Sequence, residues 1–173
     1  AGATLTLSDG PDYLRQEGRT TNNAGTATWT TGGGNYWYLN DGAVFTNQAG
    51  ATFNAQADEA VNMSGSGTFN NEGAFVRSGT GASRFNLPFI NSGSVQVSAG
   101  TLRLNGGGMG SAGFTVDDTA RLEFIGGTFS LDDGAALAGA GLYYLSGGTL
   151  SINGNVSVTN FEQVGGYVGG AGQ

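Results

Sequence analysis

The chain contains no histidine and no cysteine. That excludes Ser-His-Asp and Cys-His nucleophilic schemes, the usual zinc sites and imidazole general bases. Carboxylates and arginine remain, and these can serve glycoside cleavage as an acid pair or hold a calcium ion. The candidate pairs are Asp58-Glu59, Asp117-Asp118 and Asp132-Asp133. Adjacent residues on a strand point to opposite faces, and aspartates in turns generally cap backbone groups. The nonapeptide calcium pattern Gly-Gly-x-Gly-x-Asp-x-apolar-x does not occur. The expectation is a protein without catalysis and without a cofactor, structural calcium being the one metal its acids leave open.

Binding is easier to place than catalysis. Tyr36-Trp37-Tyr38 is the densest aromatic run, echoed by Tyr143-Tyr144. Strand alternation sends at least one ring of each run outward, where it can stack on a sugar. Trp37, Tyr38 and Tyr144 are therefore candidate glycan contacts. Asp58, Glu59, Arg77 and Arg84, in segments that read as long turns, are candidate partner contacts. The opposing reading packs the rings on one another beneath those turns. Gly-Gly-Gly at 32–34 and 106–108 is no phosphate loop, because no helix follows and the lysine of such loops is missing.

The elements that must position these residues are short and β-like. A phrase of turn residue, Gly, small, apolar, polar, apolar recurs in Gly93-Ser94-Val95-Gln96-Val97, Gly100-Thr101-Leu102-Arg103-Leu104, Gly127-Thr128-Phe129-Ser130-Leu131 and Gly148-Thr149-Leu150-Ser151-Ile152. Helical periodicity is nearly missing. A period of roughly 25 residues marks a solenoid whose repeats bury their apolar faces against their neighbours. Overlaying the repeats gives three strands per coil. The first carries the aromatics, the second begins near Gly18, Gly42, Gly67, Gly93, Thr119 and Gly148, and the third near Gly25, Gly50, Gly73, Gly100, Gly127 and Gly154.

This pattern predicts an all-β, three-sided parallel β-helix of about six coils, right-handed by the usual crossover rule. Residues 1–173 form one solenoid domain: an irregular first coil or cap over 1–35, regular coils over 36–158 and a Gly-rich end over 159–173. Leu102 and Leu104 face inward around Arg103, Leu122 and Phe124 around an exposed Glu123, and Val156 and Val158 around Ser157. Two tight corners hold asparagines, Asn40 and Asn91 at one, Asn23 and Asn71 at the other. The third corner is long and variable: Asn54–Ala60, Arg77–Arg84, Asn105–Gly113 and Asp132–Gly141. Thr26, Thr101 and Thr128 share one outward position of the third strand.

Composition agrees. Hydrophobic residues make up 38% of the 173 residues, and there are 34 glycines but only 2 prolines. That is neither collagen nor a disordered linker, because the apolar residues alternate with polar ones. Thirteen acids against six basic residues, all arginine, give a net charge of -7. Such a chain lacks the footprint for nucleic acid or an anionic membrane. No apolar stretch is long enough to span a bilayer. A cysteine-free, lysine-free chain rich in Gly, Asn, Thr and Ser suits an exported bacterial protein.

From Gly67-Thr68-Phe69-Asn70-Asn71-Glu72-Gly73-Ala74-Phe75, through Asn91-Ser92-Gly93-Ser94-Val95, to Leu104-Asn105-Gly106-Gly107-Gly108, the chain resembles the repeats of large bacterial surface proteins. These are the β-helical passengers of autotransporters and filamentous-haemagglutinin-like adhesins, and the resemblance covers about residues 36–158. It implies a right-handed parallel β-helix, secretion to the cell surface, and service as stalk, adhesin or scaffold. The family shares no catalytic residues. Two other roles are open: a subunit that self-assembles into an extracellular filament through its open ends, and a carbohydrate-binding or polysaccharide-cleaving β-helix. The expected partners are accordingly further copies or adjoining repeats, and glycans or a host surface.

Overall fold

The computed structural model describes residues 3–8, 13–30, 36–58 and 60–172. The chain winds through three parallel sheets in strict rotation, so each strand pairs with its counterpart one coil earlier and one coil later. Sheet A contains Thr4–Leu7, Thr26–Trp29, Thr52–Ala55, Ala74–Arg77, Ser94–Val97, Gly113–Val116 and Ala136–Ala138. Sheet B contains Leu14–Glu17, Tyr36–Asn40, Val61–Ser64, Ala82–Phe85, Thr101–Leu104, Arg121–Phe124, Leu142–Leu145 and Phe161–Gln163. Sheet C contains Thr20–Asn23, Val44–Asn47, Thr68–Asn71, Phe89–Asn91, Gly108–Gly110, Thr128–Leu131, Thr149–Ile152 and Tyr167–Gly169. This is an all-β, three-sided parallel β-helix with no helix among the described residues.

The coils tighten along the rod. Thr26 pairs with Thr52, 26 residues on, whereas Val95 pairs with Phe114, 19 residues on. Spacing averages near 21 residues over about seven turns, shorter and more numerous than the period read from the sequence. Phe89–Asn91 and Gly108–Gly110, each three residues long, stand in one of the tightest coils, Phe89 pairing with Gly108 19 residues on. Gly-Met-Gly lacks the apolar alternation of a strand, yet Gly108 belongs to one. It sits at φ +137, and a Cβ there would run into the Phe89 carbonyl of the preceding coil.

Several sequence assignments therefore move. The segments Asn105–Gly113 and Asp132–Gly141 each contain a strand and are not plain loops. Thr26, Thr101 and Thr128 lie on sheets A, B and C respectively, so they form no array. In Thr20–Asn23 the inward pair is Thr21 and Asn23, with Thr20 and Asn22 exposed. Asn155–Val158 is not a ladder strand.

Inward positions stack into columns that make the core. Phe45, Phe69 and Phe89 occupy one column of sheet C with near-parallel rings, 5.5 Å and 5.4 Å between centroids. Phe53 and Phe75 do the same in sheet A at 5.6 Å. Such pairs add about 0.5–1.5 kcal/mol beyond their area burial. Trp29, Phe85, Phe114, Phe124, Phe129 and Tyr143 are among the other large side chains buried in the interior.

One inward column is polar. Asn23, Asn47, Asn71 and Asn91 line the C-to-A corner in a single ladder: Asn23 Nδ2 donates to Asn47 Oδ1 (2.8 Å), Asn47 to Asn71 (2.7 Å) and Asn71 to Asn91 (2.8 Å). Asn91 thus belongs with Asn23 and Asn71, not with Asn40, which ends a sheet B strand. Further along this column stand Gly110, Leu131 and Ile152, so the ladder stops at Asn91.

Candidate interaction face on sheet B

Alternation sends every second strand residue outward, and the three outer faces differ sharply in charge. Among the described strands, the outward positions of sheets A and C hold no charged residue: they carry Thr, Ser, Asn, Gln, Gly and apolar residues, with Tyr167 on the last strand of sheet C. Sheet B carries Arg15, Glu17, Arg84, Arg103, Arg121, Glu123 and Glu162 outward. It also carries Tyr36, Tyr38 and Tyr144, with Tyr13 just ahead of its first strand.

One end of the face is aromatic. Tyr36 and Tyr38 stack with centroids 5.5 Å apart and planes 7° from parallel. Tyr13 meets Tyr38 edge-on at 5.3 Å. Arg15 lies over the Tyr13 ring at 4.9 Å and donates to the Tyr13 hydroxyl (3.0 Å). Tyr13 is 49% exposed and Tyr36 40%. The result is an open, ring-lined platform with one guanidinium beside it.

The middle is a string of amides. Asn105 Nδ2 donates to Asn86 Oδ1 (2.8 Å), and Asn86 Nδ2 to Ser64 Oγ (2.9 Å). Beyond it lies a compact charge cluster. Glu123 accepts from Arg103 Nε (2.6 Å) and Arg121 Nη1 (2.9 Å), and Arg121 lies 4.6 Å from the Tyr144 ring centre. The two arginines cover Glu123, which is buried and not exposed as its position suggested. Arg84 stands directly across from Arg103, a like-charge pairing that disfavours the ladder. It makes no hydrogen bond or ion pair with the other described residues.

The sequence candidates divide accordingly. Tyr38, Arg84 and Tyr144 lie on this face, half-buried. Trp37 does not: as the middle residue of Tyr36-Trp37-Tyr38 it turns inward, buried against Phe45 at 5.2 Å, so it is no glycan contact. Arg77 is no surface contact either. It closes its strand at an inward position, fully buried, with Nη1 on the Ala55 carbonyl (2.9 Å) and Nη2 on that of Ala57 (2.7 Å). Burial pushes its pKa down to about 10, slightly offset by the Asp58 charge. Asp58 is exposed at the A-to-B corner, away from the sheet B face, and accepts from the Thr80 amide (2.9 Å) and hydroxyl (3.1 Å). Glu59 lies outside the described residues.

Three other acids serve turns and neighbouring side chains. Asp117 accepts from Gln96, Asp132 from Asn153 and Asp118 from the Thr119 amide. Among the described residues no three acidic side chains gather where they could hold a metal ion. Tyr143 is buried with its hydroxyl 2.8 Å from the carbonyls of Phe114 and Ala138, and burial raises its pKa. Sequence reasoning missed Tyr13, Arg15, Tyr36, Arg121 and Glu123 as members of one face. Its signal was present in Tyr36 and Tyr38 flanking an inward Trp37.

Comparison with known protein families, curated proteins and solved structures returns no match for this chain.

Proposed function

We propose that this chain is a non-enzymatic structural and adhesive β-solenoid of an extracellular bacterial surface protein, and that the outer face of sheet B is its recognition surface. The reading follows the resemblance to autotransporter passengers and filamentous-haemagglutinin-like adhesins. Its carrying observation is the segregation of charge: outward strand charges sit on one sheet of three. Two faces without outward strand charges suit a stalk. The third offers Tyr13, Tyr36 and Tyr38 for stacking on sugar rings and Arg84 as an uncommitted cation. Rigid aromatic anchors with adaptable polar neighbours are the usual make-up of a binding surface.

The test is a glycan array probed with labelled protein. Signal is expected to fall at least about tenfold in Tyr36→Ser/Tyr38→Ser, in keeping with aromatic anchors dominating binding, and to survive Thr28→Ser on sheet A. No signal on any glycan, or a signal that only the sheet A substitution removes, would sink the recognition surface.

A further inference from the structure

We propose that the sheet B face takes an acidic polysaccharide laid along the rod, with a sugar carboxylate held at Arg84 and Arg103. The inference rests on the reading of that face as the recognition surface, and names the class of glycan it takes. Its ground is a charge that the fold leaves unanswered. Arg84 and Arg103 face each other in adjacent coils, on strands about 4.8 Å apart. Glu123 does not serve both: one carboxylate oxygen accepts from Arg103, the other from Arg121, and the side chain is buried. Arg84 has no ion pair among the described residues.

Three arginines against one glutamate leave two positive charges in excess here, on a chain whose net charge is -7. A like-charge pair across a ladder is destabilising, so Arg84 works against the sheet in which it stands. Arg103 shows what satisfies a guanidinium on this face: a carboxylate oxygen 2.6 Å from its Nε. A carboxylate from outside supplies the same to Arg84, and the planar fork of arginine suits that group.

The rings make the carrier a sugar chain. Tyr36, Asn62, Arg84, Arg103, Glu123 and Tyr144 form one outward column, each paired with the next. Every strand in it is paired on both edges, so the column belongs to the body of the rod. Five strand steps separate Tyr36 from Tyr144, about 24 Å. Tyr36 is stacked with Tyr38 at one end, and Tyr144 lies against Arg121 at the other. Aromatic faces at both ends of a cationic stretch suit a linear polymer whose rings stack on the tyrosines while an acid substituent meets the arginines. Alongside run Ser64, Asn86 and Asn105, half-exposed hydroxyl and amide groups level with sugar hydroxyls. An acidic peptide would answer the arginines but lacks flat rings for the tyrosines.

The experiment measures binding of the full chain to immobilised polygalacturonate, alginate and hyaluronan, all of which carry carboxylates. Dextran and methyl-esterified polygalacturonate are the uncharged counterparts, and poly-glutamate is the acidic peptide. Wild type is expected to bind at least one acidic polysaccharide about tenfold tighter than the uncharged polymers and poly-glutamate, and to lose that binding as salt screens the charges. Arg84→Gln should lower the affinity about tenfold, with Tm at or above that of wild type because the like-charge pairing ends. Arg84→Lys, which keeps the charge without the fork, should fall between. No preference for the acidic polysaccharides, or an Arg84→Gln variant that binds them as wild type does, would overturn the proposal. If a neutral polymer then still binds and Tyr36→Ser/Tyr38→Ser removes it, the recognition face stands and only the acidic class fails. Silence on every polymer and on the glycan array would remove both. Poly-glutamate bound as tightly as the acidic sugars, and lost in Arg84→Gln, would assign the site to a peptide and overturn the proposal as well.

Discussion

Asn47 hands its side-chain amide to Asn71: Nδ2 lies 2.7 Å from Oδ1, and the two fully buried side chains occupy the same inward position of consecutive coils. Nδ2 also donates to the Ala74 carbonyl at 3.0 Å, while Oδ1 accepts from Asn23. Each rung thus ties its own coil to the next and closes the C-to-A corner. A buried polar column of this kind is stabilising only while every member is satisfied. Asn91, the last rung, accepts from Asn71 but leaves its own Nδ2 buried without a partner among the described residues.

Asn47→Leu should therefore destabilise the protein by about 2–3 kcal/mol, since it takes the donor from Asn71 Oδ1, one donor from the Ala74 carbonyl and one of the two acceptors of Asn23 Nδ2, which keeps only the Thr52 carbonyl. Asn91→Leu should change stability by no more than about 1 kcal/mol, because it removes an unsatisfied donor along with one acceptor. Urea denaturation of the two variants checks the order, and a larger loss in Asn91→Leu would refute the ladder account.

Arg77 makes a second such comparison. Its guanidinium is buried on two carbonyls, with Nε unpartnered among the described residues. The folded pKa of about 10 lies below the ordinary 12.5, so the fold disfavours the charged form. The resulting penalty is constant at neutral pH and is relieved as pH climbs from 10 toward 12.5, where the unfolded chain still holds the proton. Arg77→Met removes charge and orphan donor while keeping volume and should stay within about 1 kcal/mol of wild type. Arg77→Lys keeps the buried charge but loses the two-pronged grip, and should cost about 3 kcal/mol. Thermal melts of both separate the two effects.

The residues that were legible from the sequence are those whose alternation is complete. Leu102-Arg103-Leu104 or Leu150-Ser151-Ile152 can be placed on a strand, and a face assigned, from three letters, because burial alone decides them. Gly108-Met109-Gly110 and Ala136-Leu137-Ala138 cannot, since their strand pairing comes from coils on either side. Missing them stretched the apparent period and shifted the later strands onto the wrong sheet. That slip dispersed Tyr36, Arg84, Arg103 and Glu123, which in space share one outward line of sheet B. Arg77 was misread for a related reason. An arginine closing a strand looks like a turn residue unless its parity with Phe75 is known.

Ser83 presents the reverse of Arg77, a small polar residue in an apolar column. It pairs with Val61 on one side and Leu102 on the other, is fully buried, and its Oγ has no hydrogen-bond partner among the described residues. Ser83→Val matches the shape of Val61 and removes the orphan. It should stabilise by about 1 kcal/mol, or roughly 2–4 °C in Tm for a chain of this size. A lowered Tm would show that the site has no room for the extra methyl.

Asp58 supplies an acid limb. The Thr80 amide, then its hydroxyl, hold the Asp58 carboxyl below the ordinary 3.8, with the Arg77 charge a smaller contributor. A carboxylate whose folded pKa is depressed adds stability above its unfolded value and loses it as pH falls through the folded one. Wild type should lose a small part of its stability on acidification below 3.8 that Asp58→Asn never had. Thr80→Ala, which keeps the amide donor but not the hydroxyl, should fall between them. Melting curves from neutral pH to pH ~2 give the comparison, and superimposable acid limbs would dismiss the Thr80 contacts as inert.

The charge cluster of sheet B gives the prediction closest to function. Glu123 is the carboxylate within reach of Arg103 and Arg121, and Arg103 already faces Arg84 across the ladder. Glu123→Gln leaves two arginines without their counter-charge and turns an amide N–H₂ toward a guanidinium. Breaking a buried pair from one side typically costs about 3 kcal/mol, and here the three neighbouring cations add mutual repulsion. Screening acts on that repulsion, so the variant should regain stability as ionic strength rises, while wild type changes little. The exposed arginines should also bind sulfate, raising the Tm of the variant more in sodium sulfate than in sodium chloride of equal ionic strength. Equal melting shifts in both salts, or a variant as stable as wild type in low salt, would mean that Glu123 does not organise the cluster.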